Sequence, residues 1–272
     1  MKKSLRPGVV LRYAGLVFLC LIFAFPFLWM LSAATNTSVD IVKGKLLPGT
    51  YFAENIKALL ASRSLIRVLM NSITYAIIGT LASLFICSMA GYGFQIYRNK
   101  AMERLIAILL LSMMVPFATV MIPLFRMFSQ AKLMNSTIGV ILPSVSTAFL
   151  IFFFRQSTMS FPLDIVDSAR IDGVGEFGIY ARIYTPIMAP TFAAGAIVAF
   201  MGYWNNYLWP LIILQRQENQ TMPLLLTGLI VGYNIDYGML MAAVLIFTIP
   251  TVIIFVTQQR RFVVGILGAV KG

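Results

Sequence analysis

The sequence predicts an all-α integral membrane protein with six transmembrane helices. The chain is 60% hydrophobic and only 11% charged, where soluble domains run nearer a quarter charged. Its apolar runs recur at about 20 residues, the length at which an α-helix crosses the hydrocarbon core. Lysines and arginines punctuate those runs instead of gathering on one soluble face, as flanking charges do in membrane proteins. Lipid offers backbone amides no partners, so the runs must be helices or a closed barrel. Stretches such as 105–115 do not alternate as barrel strands do. The scatter of basic residues also sets aside nucleic-acid binding despite a net charge of +12, because no basic domain exists to carry it.

The elements follow in order. Lys2, Lys3, Arg6 and Arg12 precede a first span at 13–34 and place the N-terminus in the cytoplasm. Ser32-Ala33-Ala34 has the small residues of a signal cleavage site. The apolar stretch nevertheless exceeds the about 7–15 residues of a signal core, so an uncleaved span is expected. Ile56, Leu59, Leu60, Leu65, Ile66 and Leu69 recur at helical spacing. They predict an amphipathic helix on the outer surface that feeds a second span at 71–94. The basic turn 95–104 looks cytoplasmic. A third span at 105–128 contains Pro116 and Pro123, which read equally as a kink tolerated by neighbours or as a kinked pore helix. The fourth span, 138–154, has Pro143 near its start and Arg155 closing its inner end. The fifth, 187–214, has Pro190 and Pro210 near its ends. Within the outer loop 215–238, the apolar run Leu224–Ile230 is too short to cross. A sixth span at 239–256 precedes a basic tail, 258–272, on the cytoplasmic side.

No enzyme signature is present. The chain has no histidine, which excludes histidine-based catalysis and histidine metal sites. Cys20 and Cys87 fall inside predicted spans and read as small apolar fillers. Gly44-Lys45 lacks the upstream glycine of a nucleotide loop. No Asp or Glu lies within a predicted span, although a proton-coupled carrier usually needs one, and no inverted repeat is visible. Energy for uphill movement of a solute would therefore enter from a partner. The chain itself is expected to bind no cofactor or metal.

The densest charge lies between the fourth and fifth spans. Asp164, Asp167, Asp172 and Glu176 share the loop 155–186 with Arg155, Arg170 and Arg182. Ser160 can cap a helix with Pro162 in its first turn and Asp164 at the positive end of the dipole. Asp164, Asp167, Ser168 and Ile171 share one helical face, and Gly173 can end the helix in a left-handed turn. A second helical stretch, 175–185, would lead into the fifth span. On pattern alone this is either a solvated connector or a knob for a partner's groove.

A resemblance bears on that choice. Asp167-Ser168-Ala169, then Asp172-Gly173, followed by Ile183-Tyr184-Thr185-Pro186 and Pro190, resembles the Glu-Ala-Ala loop of binding-protein-dependent ABC importer permeases. In that family the loop forms a coupling helix that docks in a cleft of the ATPase subunit. Three further stretches resemble the carbohydrate branch, most closely the maltose-type second permease subunit. They are Asn71-Ser72, the run Gly202-Tyr203-Trp204-Asn205-Asn206-Tyr207-Leu208-Trp209-Pro210, and the ending from Gln259-Arg260-Arg261-Phe262 to Lys271-Gly272. Asp167 stands where the motif has Glu, one methylene shorter, and Ser168 where it has its first Ala.

The resemblance implies a non-catalytic permease domain spanning 1–272 in a bacterial or archaeal inner membrane, with both termini cytoplasmic. Its partners would be a second, homologous permease, two ATPase subunits that carry ATP and Mg, and an extracytoplasmic sugar-binding protein. Asp167, Ser168, Ala169, Asp172 and Gly173 would couple to the ATPase, and Arg260, Arg261 and Phe262 would lie near it. Trp204, Asn205, Asn206 and Tyr207 invite a sugar path, since indole faces stack on sugar rings and amides bond hydroxyls. Interfacial aromatics and interhelical amide bonds are the competing account of that cluster. A permease for amino acids or peptides, or a self-sufficient channel or carrier, remains the alternative function.

Overall fold

The computed structural model describes residues 7–62, 65–231 and 234–270, with side chains for all of these except 7, 9, 10, 62 and 259–270. It is helical, with no strand among the described residues. By its internal contacts the chain divides into two compact units: Met1–Leu65 with Leu226–Ile249, and Ile66–Leu225 with Pro250–Gly272.

Helices long and apolar enough to cross a membrane are found at Leu11–Ala33, Leu65–Ile96 and Tyr237–Gln258, and six spans result if each of three bent helix pairs counts as one. The first lies in α1 (Pro7–Ala33), the second is α4 (Leu65–Ile96), and the third opens α15 (Tyr237–Val270). The expected boundaries move in two places. The predicted amphipathic helix ends early, as α3 (Phe52–Ser62), and Leu65, Ile66 and Leu69 belong to α4. The predicted tail is not separate, because α15 continues as helix through Val270. Pro250 sits inside α15 without ending it.

The first unit is tied by two asparagines. Asn36 Nδ2 donates to the carbonyls of Ser32 (3.0 Å) and Leu47 (2.9 Å). Asn55 Nδ2, on α3, donates to those of Ala34 (2.9 Å) and Asn36 (3.0 Å). The loop after α1 thus has its buried carbonyls satisfied by side chains, as buried backbone requires. Also in this unit is the short helix α2 (Ser38–Val42), capped by Thr37.

The second unit is built from broken helices. The predicted third span is a pair, α5 (Lys100–Ser112) and α6 (Phe117–Gln130), bent by 98°. Pro116 lacks the amide a continuing helix needs and disfavours helix at the residue before it. Met113, Met114 and Val115 accordingly make only turn bonds, to Leu110, Leu111 and Ser112. The predicted fourth span is α7 (Thr137–Ile141) with a 3-10 turn through Ser144, then α8 (Ala148–Thr158), bent by 52°. The fifth is α12 (Ala189–Trp204) and α13 (Leu208–Ile213), separated at Asn205–Tyr207. The outer apolar run is a surface-length helix, α14 (Met222–Ile230), with Met222, Leu224 and Leu225 buried.

Close approach joins α4 to α8. A Cβ added at Gly91 would collide with the Cβ of Phe154 and the amide of Arg155. Around that contact Cys87, Leu150, Ile151, Phe154 and Ala199 form one core cluster. Tyr75, Phe128, Val140, Trp209 and Ile213 form another, where Trp209 Nε1 donates to the carbonyl of Gly139 at 2.8 Å.

Candidate functional site

The charged loop folds as α9 (Leu163–Ile171), a turn, and α10 (Glu176–Ile179). Pro162 occupies the N-cap of α9 with no side-chain cap. Ser160 does not cap it as expected: its hydroxyl donates backward to the carbonyl of Ser157 at 2.8 Å. The predicted left-handed end is present. Gly173 has φ +77°, its amide donates to Arg170 (3.1 Å), and the amide of Val174 donates to Ala169 (2.9 Å). This is the paired closure in which glycine carries the positive φ that other residues resist.

The two faces of α9 differ. Val166 and Ala169 are buried and pack into a cluster with Tyr92, Phe161, Ile179, Tyr180 and Tyr184. Asp164, Asp167, Ser168 and Ile171 face outward, and Ile171 is 87% exposed. Ser168 Oγ donates to the carbonyl of Asp164 at 2.8 Å. The structure therefore brings together the sequence-predicted residues but sorts them. Asp167, Ser168, Asp172 and Gly173 are exposed, whereas Ala169 holds α9 to its own chain.

Beneath α9 lies a tyrosine platform that the sequence reading did not foresee. Tyr92 and Tyr184 rings lie 4.8 Å apart, and Tyr180 stacks on Tyr184 at 5.7 Å. Two of the three hydroxyls have a partner on another helix: the Ser88 and Tyr180 hydroxyls share a 2.6 Å bond, and those of Thr158 and Tyr184 share one of 2.7 Å. Tyr180–Tyr184 form a π-helical turn, a geometry found mostly as single turns at functional positions. It continues through α11 (Thr185–Ile187), after which the chain bends by 85° into α12.

Arg170 ties α9 to α10 across the Gly173 turn. Nε donates to Glu176 Oε1 at 2.7 Å, Nη1 reaches Asp167 Oδ1 at 3.3 Å, and the guanidinium lies 5.9 Å from the centre of the Tyr97 ring. The Arg170 hydrogen bond, then that of Tyr97, holds the Glu176 carboxyl below its ordinary range. The same carboxylate raises the Tyr97 hydroxyl and keeps Arg170 charged.

Arg155, expected only to close the fourth span, is buried and paired with Glu103 at the start of α5; Glu103 also binds Arg98 at 2.7 Å. The signal in the sequence was a charge of each sign at the ends of neighbouring spans.

The second predicted cluster divides. Trp204 is 1% exposed and stacks on Phe200 at 5.6 Å, so its indole is packing and presents no face to a solute. Asn205, Asn206 and Tyr207 sit in the break between α12 and α13. The Asn71-Ser72 pair has a structural job: Asn71 Nδ2 donates to the carbonyls of Glu218 and Gln220, and Ser72 Oγ accepts from the amide of Met222. The side chains of Arg260, Arg261 and Phe262 lie outside the described residues. The described residues contain no group of metal-ligating side chains.

The model of the family described as binding-protein-dependent transport system inner membrane component matches residues 88–266. The chain belongs to this family. The match takes in the Asp167–Gly173 turn, the Asn205–Tyr207 break and α15 up to residue 266. Among relatives of this permease, the lactose transport system permease protein LacG of Rhizobium radiobacter is 42% identical over 262 residues, 96% of each chain. The arabinooligosaccharides transport system permease protein AraQ of Bacillus subtilis (strain 168) is 36% identical over 260 residues, 93% of this chain and 92% of that one. In fold, the permease is similar to a chain of a bacterial ABC transporter involved in the import of the acidic polysaccharide alginate. The TM-score is 0.82 at 20% identity, covering 96% of this chain and 100% of that chain. The expected fold class is thereby established: a multi-pass, all-α membrane permease that is a transport component and not an enzyme.

Proposed function

We propose that this chain is one membrane-spanning subunit of an ATP-driven carbohydrate importer, coupled to an ATPase through α9 and the bend after it. The observation that carries the coupling role is the two-faced α9. Its inner face is locked to Tyr92, Tyr180 and Tyr184, while Asp164, Asp167, Ser168 and Ile171 are left outward. A partner that moves α9 moves a rigid assembly, because the Schellman turn at Gly173 and the Arg170–Glu176 bond remove slack between α9 and α10. Through the π-helical turn that displacement reaches α12, the way rigid-body switching requires.

The carbohydrate assignment is supported by the lactose and arabinooligosaccharide relatives and by the Trp204–Pro210 and tail motifs. In this reading a second permease completes the pathway, two ATPase subunits bind ATP and Mg, and a sugar-binding protein delivers solute on the outer side. Both termini face the cytoplasm, with Arg260, Arg261 and Phe262 near the ATPases.

The test uses the complete transporter in liposomes. Gly173→Pro and Asp167→Arg should each abolish sugar- and binding-protein-stimulated ATP hydrolysis while the chain still inserts and assembles. Unchanged stimulation in both variants sinks the coupling role.

A further inference from the structure

The helix breaks of the second unit share a destination. Phe117 follows the Pro116 break, Ser144 ends the 3-10 turn before α8, and Asn205, Asn206 and Tyr207 form the break after α12. All of them, with Gly202, line one cavity of about 430 Å3. A second cavity of about 280 Å3 shares Ser144 and Gly202 and is lined further on by Ser83, Thr147 and Tyr203 together with the apolar Phe149, Leu150 and Val198. Non-helical backbone at membrane depth is tolerated only where it is buried in protein or lines a polar cavity. Discontinuous helices are also the places where transporters build solute sites. The volumes match the about 300–1,000 Å3 of small-molecule pockets when taken together.

The lining chemistry is selective. No charged side chain lines either cavity, so an ionic solute would meet no countercharge. The side-chain amide of Asn206, the hydroxyl of Tyr207 and the hydroxyl of Ser144 make no hydrogen bond with another described residue. The Asn205 amide nitrogen is occupied by the carbonyl of Met201 at 3.1 Å, which leaves its oxygen as an acceptor. Phe117 adds a partly exposed ring, held edge-on by Trp209 at 6.3 Å. Neutral donors and acceptors beside an aromatic ring are what a pyranose or furanose presents surfaces for: hydroxyls at its rim and C–H groups on its face.

We infer that the breaks of the third, fourth and fifth spans converge on a saccharide subsite in this chain itself, specific for an uncharged sugar ring and centred on Asn206 and Phe117. The subsite rests on the importer reading above, and it takes from Trp204 the aromatic role that the sequence suggested and gives it to Phe117. Gly202 lines both cavities, and a Cβ there meets nothing within 4 Å, so a larger side chain starts into open space and takes up cavity volume.

The test compares uptake of radiolabelled lactose, arabinotriose and maltose by the complete transporter in liposomes at saturating binding protein. With whichever sugar is carried, Asn206→Ala, Phe117→Ala and Gly202→Leu should each lower the uptake rate by about tenfold or more, the scale of losing one good contact. In a second arm Asn206→Cys is alkylated with N-ethylmaleimide against the unsubstituted chain as background. The carried sugar should slow that alkylation several-fold during ATP turnover, a result that a merely structural residue would not give. If the alanine variants fail to assemble, the alkylation arm decides. Unchanged uptake in all three variants, or alkylation indifferent to sugar, overturns the subsite and leaves the importer reading standing. Uptake of none of the sugars by the unsubstituted transporter overturns both.

Discussion

Arg170 Nε donates to Glu176 Oε1 at 2.7 Å across the left-handed turn at Gly173. The bond joins the last turn of α9 to the first turn of α10. It is solvent-exposed, so its contribution to stability is small. Its value lies in fixing an angle. Glu176→Gln should leave thermal stability nearly unchanged and lower coupled ATP hydrolysis several-fold, measured in the complete transporter.

The same pair sets a pH dependence. The folded Glu176 carboxyl titrates below its ordinary value of 4.5 because Arg170 and then Tyr97 hydrogen-bond its charged form. A lowered carboxylate pKa gives stability that is present above the unfolded value and is lost as pH falls through the folded one. Amide exchange protection of 170–179 should therefore be flat from neutral pH down to about 5 and decline below 4.5. Glu176→Gln should remove that decline.

Ala169 is buried beneath α9 against the tyrosine platform. Ala169→Leu should force α9 outward at a cost of about 1–3 kcal/mol, as overpacking does. The expected outcome is assembled transporter with sugar-stimulated ATP hydrolysis lost, whereas Ser168→Ala, which puts back the alanine of the motif this loop resembles, should change little. Both are read in the same ATPase measurement.

How far the sequence could be read follows from these residues. The face of α9, the turn at Gly173 and the all-α membrane class were legible, because hydropathy, helical spacing and a glycine after a helical run are local signals. Ser160 misled: its hydroxyl donates to the carbonyl of Ser157, and such local side-chain bonds compete with capping. The breaks were half legible. Pro116, Pro143 and Pro210 stand at or beside breaks, but Pro26, Pro123 and Pro250 sit inside helices, so proline alone does not say which span is cut. Trp204 and the tyrosine platform were illegible, since only long-range packing decides whether an aromatic faces a cavity or a core.

Trp204 offers a direct discrimination. Trp204→Ala should lower stability by about 3–5 kcal/mol, the cost of emptying a buried aromatic site, read as an earlier unfolding midpoint in detergent. A sugar-stacking indole would instead weaken uptake with stability intact.

Arg155 and Glu103 should respond asymmetrically. Glu103→Gln leaves a buried guanidinium without its carboxylate and should lower the unfolding midpoint. Replacing both, Arg155→Met with Glu103→Leu, should recover most of that loss. The comparison is made by thermal unfolding of the purified chain, and equal destabilisation by the single and double changes would show that the pair is not coupled.

The apolar window within Leu11–Ala33 has none of its residues buried inside the chain. Transfer into an apolar surrounding, not fit to neighbours, governs which side chains it will accept from within this subunit. Apolar residues should therefore interchange freely along it under random mutagenesis. The 32-residue helix Leu65–Ile96, with 39% of its window buried, should reject most changes at Gly91 and Tyr92. Tolerance to substitution along this one polypeptide is thus expected to be sharply uneven, and any position of α1 that proves intolerant marks the footprint of another molecule.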